Sequence, residues 1–335
     1  MTRREQPRPT PKLLYVTWHR HGGRVREISS ALGADALHIR PVVRVKRLHV
    51  TVQRSLSVLV TVRELVRRRP DVVLVTNPPA LPGVLVAAVS RLLGARFVLD
   101  NHPGSFGDKD NAGGRRAVPV TRRLARAALV VLVNNPEYVR VVEGWGGRAT
   151  IVHEGPPESL PPVWEPRPGA RTRVLVPAVF DVDEPVDVVA EVARRMPDHD
   201  FVMTGERGSA PASLRDALPA NLELLGFLGP EPYEAELAAC DVVLALTTAP
   251  RSVQRSAYEA VYAGRPLVCS DFPFAREYFP YAHHAHNEPD AVVRALETAV
   301  RDAPETLLTA RKVQAARWDE QIGELRRLVG LPVTV

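Results

Sequence analysis

Cysteine is nearly absent from this chain: Cys240 and Cys269 are the two it has in 335 residues. Two thiols cannot build a disulfide framework; Cys240 reads as helix-terminal and Cys269 sits in an apolar strand. They are expected to be buried free thiols in a reducing compartment. Long apolar runs are missing too. The best candidates, residues 84–89 and 129–133, are far short of the roughly 18 residues a membrane span needs. Residues 1–12 carry charge but no apolar stretch, so no secretory leader is expected there. A cytoplasmic protein is the expectation, either free or peripheral at the inner face of a membrane.

What is abundant is arginine, proline and β-branched residues. The length suits two domains of roughly 150 residues each. Charge is unevenly spread. Residues 1–165 hold 26 Lys and Arg against 13 Asp and Glu, and the remainder hold 18 against 25. A basic half joined to an acidic half suggests an anionic partner for the first, unless these arginines are simply a solvated face. Basic stretches at residues 40–54, 63–69 and 113–126 mix arginine with apolar residues, a pattern that can rest on an anionic bilayer. They contain no aromatic residue for base stacking and no nucleic-acid-binding motif, so a nucleic-acid partner is not expected.

Short continuous apolar runs mark strands covered on both faces. In the first half they are residues 12–17 (KLLYVT), 71–76 (DVVLVT), 96–100 (RFVLD), 129–134 (LVVLVN) and 150–153 (TIVH). Helical patterns at 24–32, 55–68, 82–93 and 118–127 separate them. Six prolines between Pro156 and Pro168 then interrupt the pattern, as an inter-domain linker would. It resumes with strands at 173–177, 200–204, 221–225, 241–246 and 266–270, and two tail helices near 290–302 and 304–328. The fold class is therefore α/β: two Rossmann-like doubly wound domains facing across a cleft. The expected divisions are 1–155, a linker over 156–170, a second domain over 171–303, and a last helix over 304–335 returning to the first domain.

The most informative segment runs from Asp241 to Asp271. A strand ends in a polar loop (Thr247, Thr248, Ala249, Pro250, Arg251), and a helix starts near Ser256. Unbonded N–H groups at a helix start make a phosphate site, to which Arg251 and Arg255 can add charge-assisted bonds. Glu259, one turn on, can take both hydroxyls of a ribose. Gly264 ends the helix as a C-cap glycine should.

The run from Tyr258 to Ser270 (YEAVYAGRPLVCS) resembles the "EA-x-A-x-G-x-P-V-x-x-S" signature of GT-B glycosyltransferases, chiefly glycosyltransferase family 4. Residues 204–208 (TGERG) resemble that family's "VGxG" strand end, and 221–228 (NLELLGFL) its "NVxFLGxV" segment. The resemblance implies a nucleotide-diphosphate sugar as donor and substrate, with no cofactor and no metal. The implied donor-binding set is Gly205, Arg207, Gly226, Phe227, Thr248, Arg251, Gln254, Arg255, Ser256, Ala257, Tyr258 and Glu259. Gly226 and Phe227 would lie near the base and Glu259 on the ribose. It also implies a glycan, lipid-linked or small-molecule acceptor, a place in cell-surface glycan synthesis, and retention rather than inversion at the anomeric carbon. One departure is plain. The family's Glu-x7-Glu pair is incomplete, because Arg251 stands at the first Glu position. That carboxylate touches the donor sugar in the family, so the sugar is left open here.

In the first half, His19, His21, Gly22 and Gly23 follow the first strand. The resemblance makes residues 21–23 the loop facing the donor phosphate and acceptor. A mere tight turn, or a metal pair at His19 and His21 without further ligands, are the other readings. His102, just past the strand RFVLD, takes the position where the family often places a histidine near the reacting sugar, with Asp100 as the alternative base. Asp108-x-Asp110 and Asp181-x-Asp183 match a metal triplet that is common by chance. His283, His284 and His286 are expected in an exposed loop. A nucleotide-sugar epimerase and a non-catalytic nucleotide-sugar or partner-binding protein are the rival functions on the same fold.

Overall fold

A computed structural model describes residues 10–19, 22–40, 49–107, 112–167 and 169–332. The chain forms two compact units. One comprises residues 1–155 and 318–335, the other residues 156–317.

The first unit is built on six parallel strands: β1 (Leu13–Thr17), β2 (Asp35–His38), β3 (Val72–Asn77), β4 (Arg96–Asn101), β5 (Val130–Val133) and β6 (Ala149–Ile151). Their order is β2-β1-β3-β4-β5-β6. Helices α1 (Gly23–Leu32), α2 (His49–Arg68), α3 (Ala80–Leu93), α4 (Ala112–Ala127) and α5 (Pro136–Gly144) connect them. The central strands are buried along their whole length, which is why they read as unbroken apolar runs. β2 did not read as a strand. It is a four-residue edge strand, DALH, with a mostly exposed pattern, so no apolar run announces it.

The second unit repeats the plan with β7 (Thr172–Val176), β8 (His199–Thr204), β9 (Leu222–Gly226), β10 (Val242–Ala245), β11 (Leu267–Ser270) and β12 (His283–Ala285), in the order β12-β11-β10-β7-β8-β9. Its helices are α6 (Val186–Arg195), α7 (Ala212–Asp216), α8 (Pro230–Ala239), α9 (Arg255–Ala263), α10 (Pro273–Tyr278) and α11 (Pro289–Ala299). β12 corrects the expectation of an exposed histidine loop. His283 and His284 pair in parallel with Val268 and Cys269. His283 Nε2 lies 2.9 Å from Asp302, and His284 Nε2 lies 3.0 Å from the Phe279 carbonyl. Both thiols are free and buried, and burial pushes each up to about 12.

The last helix, α12 (Pro304–Val329), starts in the second unit and ends in the first. Its far half places Trp318, Ile322, Leu325 and Val329 in one core cluster with Leu13, Tyr15, Val72, Val98 and Val130. The proline-rich segment is not a free tether. Trp164 is buried, its backbone N–H donates to the Gly264 carbonyl (3.0 Å), and its indole N–H donates to Asp241 (2.8 Å). Arg265 and Arg311 donate to the carbonyls of Pro162 and Pro161. Proline lacks N–H groups but keeps its carbonyls, and those carbonyls fasten this segment to the second unit.

Candidate functional site

In an open parallel sheet, ligands bind beyond the carboxyl ends of the strands where the connection direction reverses. In the second unit that point lies between β7 and β10. A cavity there is lined by Ala178, Glu184, Leu246 and Gln254 among others. The loop after β7 folds over Glu184, whose carboxylate accepts from the backbone N–H groups of Val179 (3.0 Å) and Phe180 (2.7 Å). Burial nevertheless pushes its carboxyl above the ordinary value. Asp183 ties this loop to the one after β10: its carboxylate accepts from the Thr247 hydroxyl (2.9 Å) and its carbonyl from the Thr248 N–H (2.7 Å). Asp183 therefore serves as a loop clasp. Among the described residues no cluster of three metal-type ligands exists.

Gly205 ends β8 at φ +112, and a Cβ there would sit 2.7 Å from the Phe180 ring and 2.8 Å from the Ala178 carbonyl. Only glycine meets both demands. Its N–H donates to the Gly226 carbonyl (3.0 Å), so the expected donor residues Gly205 and Gly226 are joined directly. Arg207 and Phe227, which follow them, are exposed, Phe227 at 65%.

After β10, Gln254 caps α9, and its side-chain amide donates to the Leu246 carbonyl (2.8 Å). Ser256 and Ala257 are buried, so the start of α9 offers backbone rather than side chains. Glu259 sits one turn in. Its two oxygens accept from Arg255 Nε (2.6 Å) and from the Tyr233 hydroxyl on α8 (2.7 Å). Burial, and then the Glu259 charge, push the Tyr233 phenol well above its ordinary range. Two expectations change. The Tyr258 ring lies in the core, edge-on to Phe279 at 4.9 Å, so its side chain cannot line a donor site. Arg255 bonds the Glu259 carboxylate rather than standing apart for phosphate. Thr248 and Arg251 are exposed on the loop.

In the first unit the reversal lies between β1 and β3. The chain leaves β1 at Trp18 and His19, and His19 Nε2 lies 3.0 Å from the Pro78 carbonyl beyond β3. His21, Asp108 and Asp110 lie outside the described residues. Gly22 caps α1 at φ −173, an extended conformation open to any residue, so the turn itself does not require glycine.

At the end of β4 a charged network is sealed inside the unit. Asp100 is 0% and Arg24 6% exposed. Arg24 reaches Asp100 Oδ1 through Nη2 (2.9 Å) and Nε (3.0 Å), and Oδ2 through Nε (3.1 Å). The Tyr15 hydroxyl also donates to Oδ2. Arg24 Nη1 donates to the His153 carbonyl (2.8 Å) and approaches Glu154 (3.4 Å). Burial opposes the Asp100 charge, yet the Arg24 guanidinium, with His102 beside it, holds the carboxyl well below the usual range. Arg24 is shifted up by the same pairing against its own burial. His102 Nε2 lies 3.5 Å from Asp100 Oδ2, and its side chain is 40% exposed. This corrects the reading of Asp100 as a base. A sealed, tightly bonded carboxylate is both out of reach of a substrate and a poor proton acceptor.

The sequence reading missed Arg24, Tyr15 and Tyr233, and saw Asp183 only as part of a chance metal triplet. Arg24 stands immediately after Gly22-Gly23, but an arginine among twenty-six basic residues in that half gives no sign that it turns inward.

The two units match two family profiles. Residues 10–158 match the glycosyl transferase 4-like domain, and residues 173–302 match glycosyl transferases group 1. No curated protein sequence matches the chain. Among solved structures it is similar to Anabaena HepE in complex with UDP and glucose (15% identity, 96% of this chain and 98% of that one, TM-score 0.65). It is also similar to sucrose-phosphate synthase from Thermosynechococcus elongatus (13% identity, 96% of each chain, TM-score 0.70). A third similar structure is an S. aureus TarM mutant in complex with Fondaparinux, alpha-GlcNAc-glycerol and UDP (13% identity, 82% of this chain and 59% of that one, TM-score 0.58). At such identities these likenesses are likenesses of fold: two doubly wound parallel-sheet units of the GT-B kind. With both of its units matched by glycosyltransferase profiles, the chain belongs to the GT-B glycosyltransferases and resembles family 4.

Proposed function

We propose that the protein moves a sugar from a nucleotide-diphosphate sugar to an acceptor hydroxyl, without a metal ion. The observation that carries this is the junction of β10 and α9. A backbone-lined helix start stands at the sheet's reversal point, with a positioned carboxylate, Glu259, one turn inside it. The diphosphate meets the Ser256 backbone and the helix dipole, the Ala257 N–H being bonded to the Gln254 carbonyl (3.1 Å), with Arg251 and Arg207 adding charge. The ribose diol takes the remaining lone pairs of Glu259, and the base lies against Gly226 and Phe227. UDP in the HepE and TarM structures supports a nucleotide donor. In the first unit, His102 is assigned to the transferred sugar and Gly22 and Gly23 to the acceptor. Retention of configuration is the outcome the family resemblance favours.

The acceptor belongs to cell-surface glycan or glycolipid synthesis at the inner face of a membrane. Support comes from α4, whose Arg115, Arg116, Arg122, Arg123 and Arg126 are exposed. The adjoining α3 exposes Leu81, Val84 and Leu92. Among the described residues no helix is long and apolar enough to cross a membrane. Arginines flanking apolar side chains suit an anionic lipid surface.

The test is a thermal-shift screen against UDP-, GDP-, dTDP- and ADP-sugars. Ligand at 100 times its dissociation constant stabilises the fold by about 2.7 kcal/mol. A shift within one nucleotide series supports the donor site and names the base. No shift with any sinks it. Arg251 favours a second reading, a nucleotide-sugar-binding protein that transfers nothing. Donor hydrolysis or transfer by pure protein rules that out.

A further inference from the structure

His102 carries a role in the proposed reaction, but an imidazole two-fifths exposed at a strand end needs something to hold its ring and choose its tautomer. The backbone beneath it is already fixed: its N–H donates to the Asn77 carbonyl (2.8 Å), and its carbonyl accepts from the Ser105 hydroxyl (2.6 Å). The ring is a separate matter. Its Nε2 stands 3.5 Å from Asp100 Oδ2, at the outer edge of hydrogen-bond reach, as catalytic hydrogen bonds often are in a protein without substrate. Which way Oδ2 points is decided deeper in the unit. Arg24 clasps both oxygens of Asp100 from the first turn of α1, and Tyr15 on β1 donates to Oδ2 from the other side. Arg24 is itself anchored on the far side by the His153 carbonyl and Glu154, beyond β6.

The geometry points to Arg24 and Tyr15 as positioning residues for His102, acting through Asp100. They fix the plane of the carboxylate so that Oδ2 accepts from His102 Nε2–H. Nδ1 is thereby kept as the lone pair offered to a substrate hydroxyl. The charged and titratable groups of this network are Asp100 on β4, Arg24 on α1, Tyr15 on β1 and Glu154 after β6. Asp100 is the one within reach of Nε2. The consequence for activity rests on the proposed placement of His102 beside the transferred sugar; the consequence for the ring itself does not.

The experiment therefore has two readouts on the full chain: the tautomer and titration midpoint of the His102 imidazole by nitrogen NMR, and transfer kinetics. The variants are Tyr15→Phe, which keeps the ring's volume, Arg24→Met, and Arg24→Lys as the conservative partner. The expected result is a wild-type ring protonated at Nε2. The midpoint and tautomer should be displaced in Tyr15→Phe and Arg24→Met and partly restored in Arg24→Lys. In kcat the loss should be roughly tenfold, the scale of one misplaced hydrogen bond to the transferred sugar, with donor KM unchanged. If Arg24→Met does not fold, Tyr15→Phe carries the test. A ring with wild-type tautomer and midpoint in the folded variants overturns the positioning role, whatever the activity does. A displaced ring with unchanged transfer upholds the positioning and instead removes His102 from the reaction.

Discussion

The two units use the same parallel six-stranded plan, but they furnish the ends of their strands differently. In the first, the carboxyl end of β4 holds a full ionic network shut away from water, with Asp100 and Arg24 at its centre. In the second, the switch point is built from backbone, small residues and carboxylates held by neutral or local partners: Glu184 by the Val179 and Phe180 N–H groups, Asp183 by Thr247, and Glu259 by Arg255 and Tyr233 on α9 and α8. A buried ion pair makes a rigid but costly support, because each charge depends on the other for the solvation it has lost. Backbone N–H groups at a helix start need no such partner and can meet a charged ligand that comes and goes. The first arrangement suits a group that must keep one orientation. The second suits a site that must fill and empty.

The sharpest way to break this contrast is to remove one charge from each. Asp100→Ala leaves Arg24 buried without its counter-ion and should cost about 3–5 kcal/mol of stability. Glu259→Ala removes an i,i+4 pair worth about 0.3–0.5 kcal/mol and the acceptor of the Tyr233 hydroxyl, worth about 1 kcal/mol more, and should move the denaturation midpoint much less. Equal losses in urea titrations of the two variants would erase the distinction. Next comes Gly205→Ala, where both the positive φ and the Phe180 contact are violated. A loss of about 1–3 kcal/mol is expected, with the loops after β7 and β8 losing protection in hydrogen exchange. Smaller, and confined to binding, is the effect of Glu259→Ala on nucleotide-sugar affinity. Calorimetry should show a weakening of about 1–3 kcal/mol; unchanged affinity in a folded variant would remove Glu259 from the ribose.

Acid provides a fourth test. The folded carboxyl of Asp100 is depressed, so its contribution to stability is complete above the unfolded value of about 3.9. That contribution fades as pH falls below it towards the folded value. Stability measured from pH 7 down to about 2 should therefore drop more in the wild type than in Asp100→Asn, with the divergence starting near pH 4. Parallel curves would mean that the network holds no charge. The smallest effect belongs to Phe227→Ala. This exposed side chain should change unliganded stability by no more than about 0.5 kcal/mol, while reducing the thermal shift given by the preferred nucleotide.

The central strands were legible because strands covered on both faces must be apolar throughout, as in residues 12–17 and 71–76. β2 and β12 were not. An edge strand with one covered side carries no such run, and β12 is a histidine-rich triplet. The β10–α9 junction was legible as a strand, a polar loop, a helix and a C-cap glycine in sequence order. Its side-chain partners were not, because Tyr233 comes from α8, 26 residues before Glu259. Arg24 and Asp100 are 76 residues apart and meet only because α1 and β4 are brought together by the sheet. A charge pattern along the chain cannot tell an arginine that faces solvent from one whose counter-ion waits in a distant strand.

The crossing of α12 from one unit to the other has a consequence for how the protein is made. The second unit is an insertion: the chain leaves the first unit after Gly155 and re-enters it at Trp318. On the ribosome, residues 156–317 have all emerged while the apolar face around Leu13, Tyr15 and Val72 still lacks the Trp318–Leu325 cover that completes it. The half of the protein synthesised first is thus the half finished last. A chain stopped short of residue 318 should yield a folded second unit attached to a first unit that sticks to whatever apolar surface it meets.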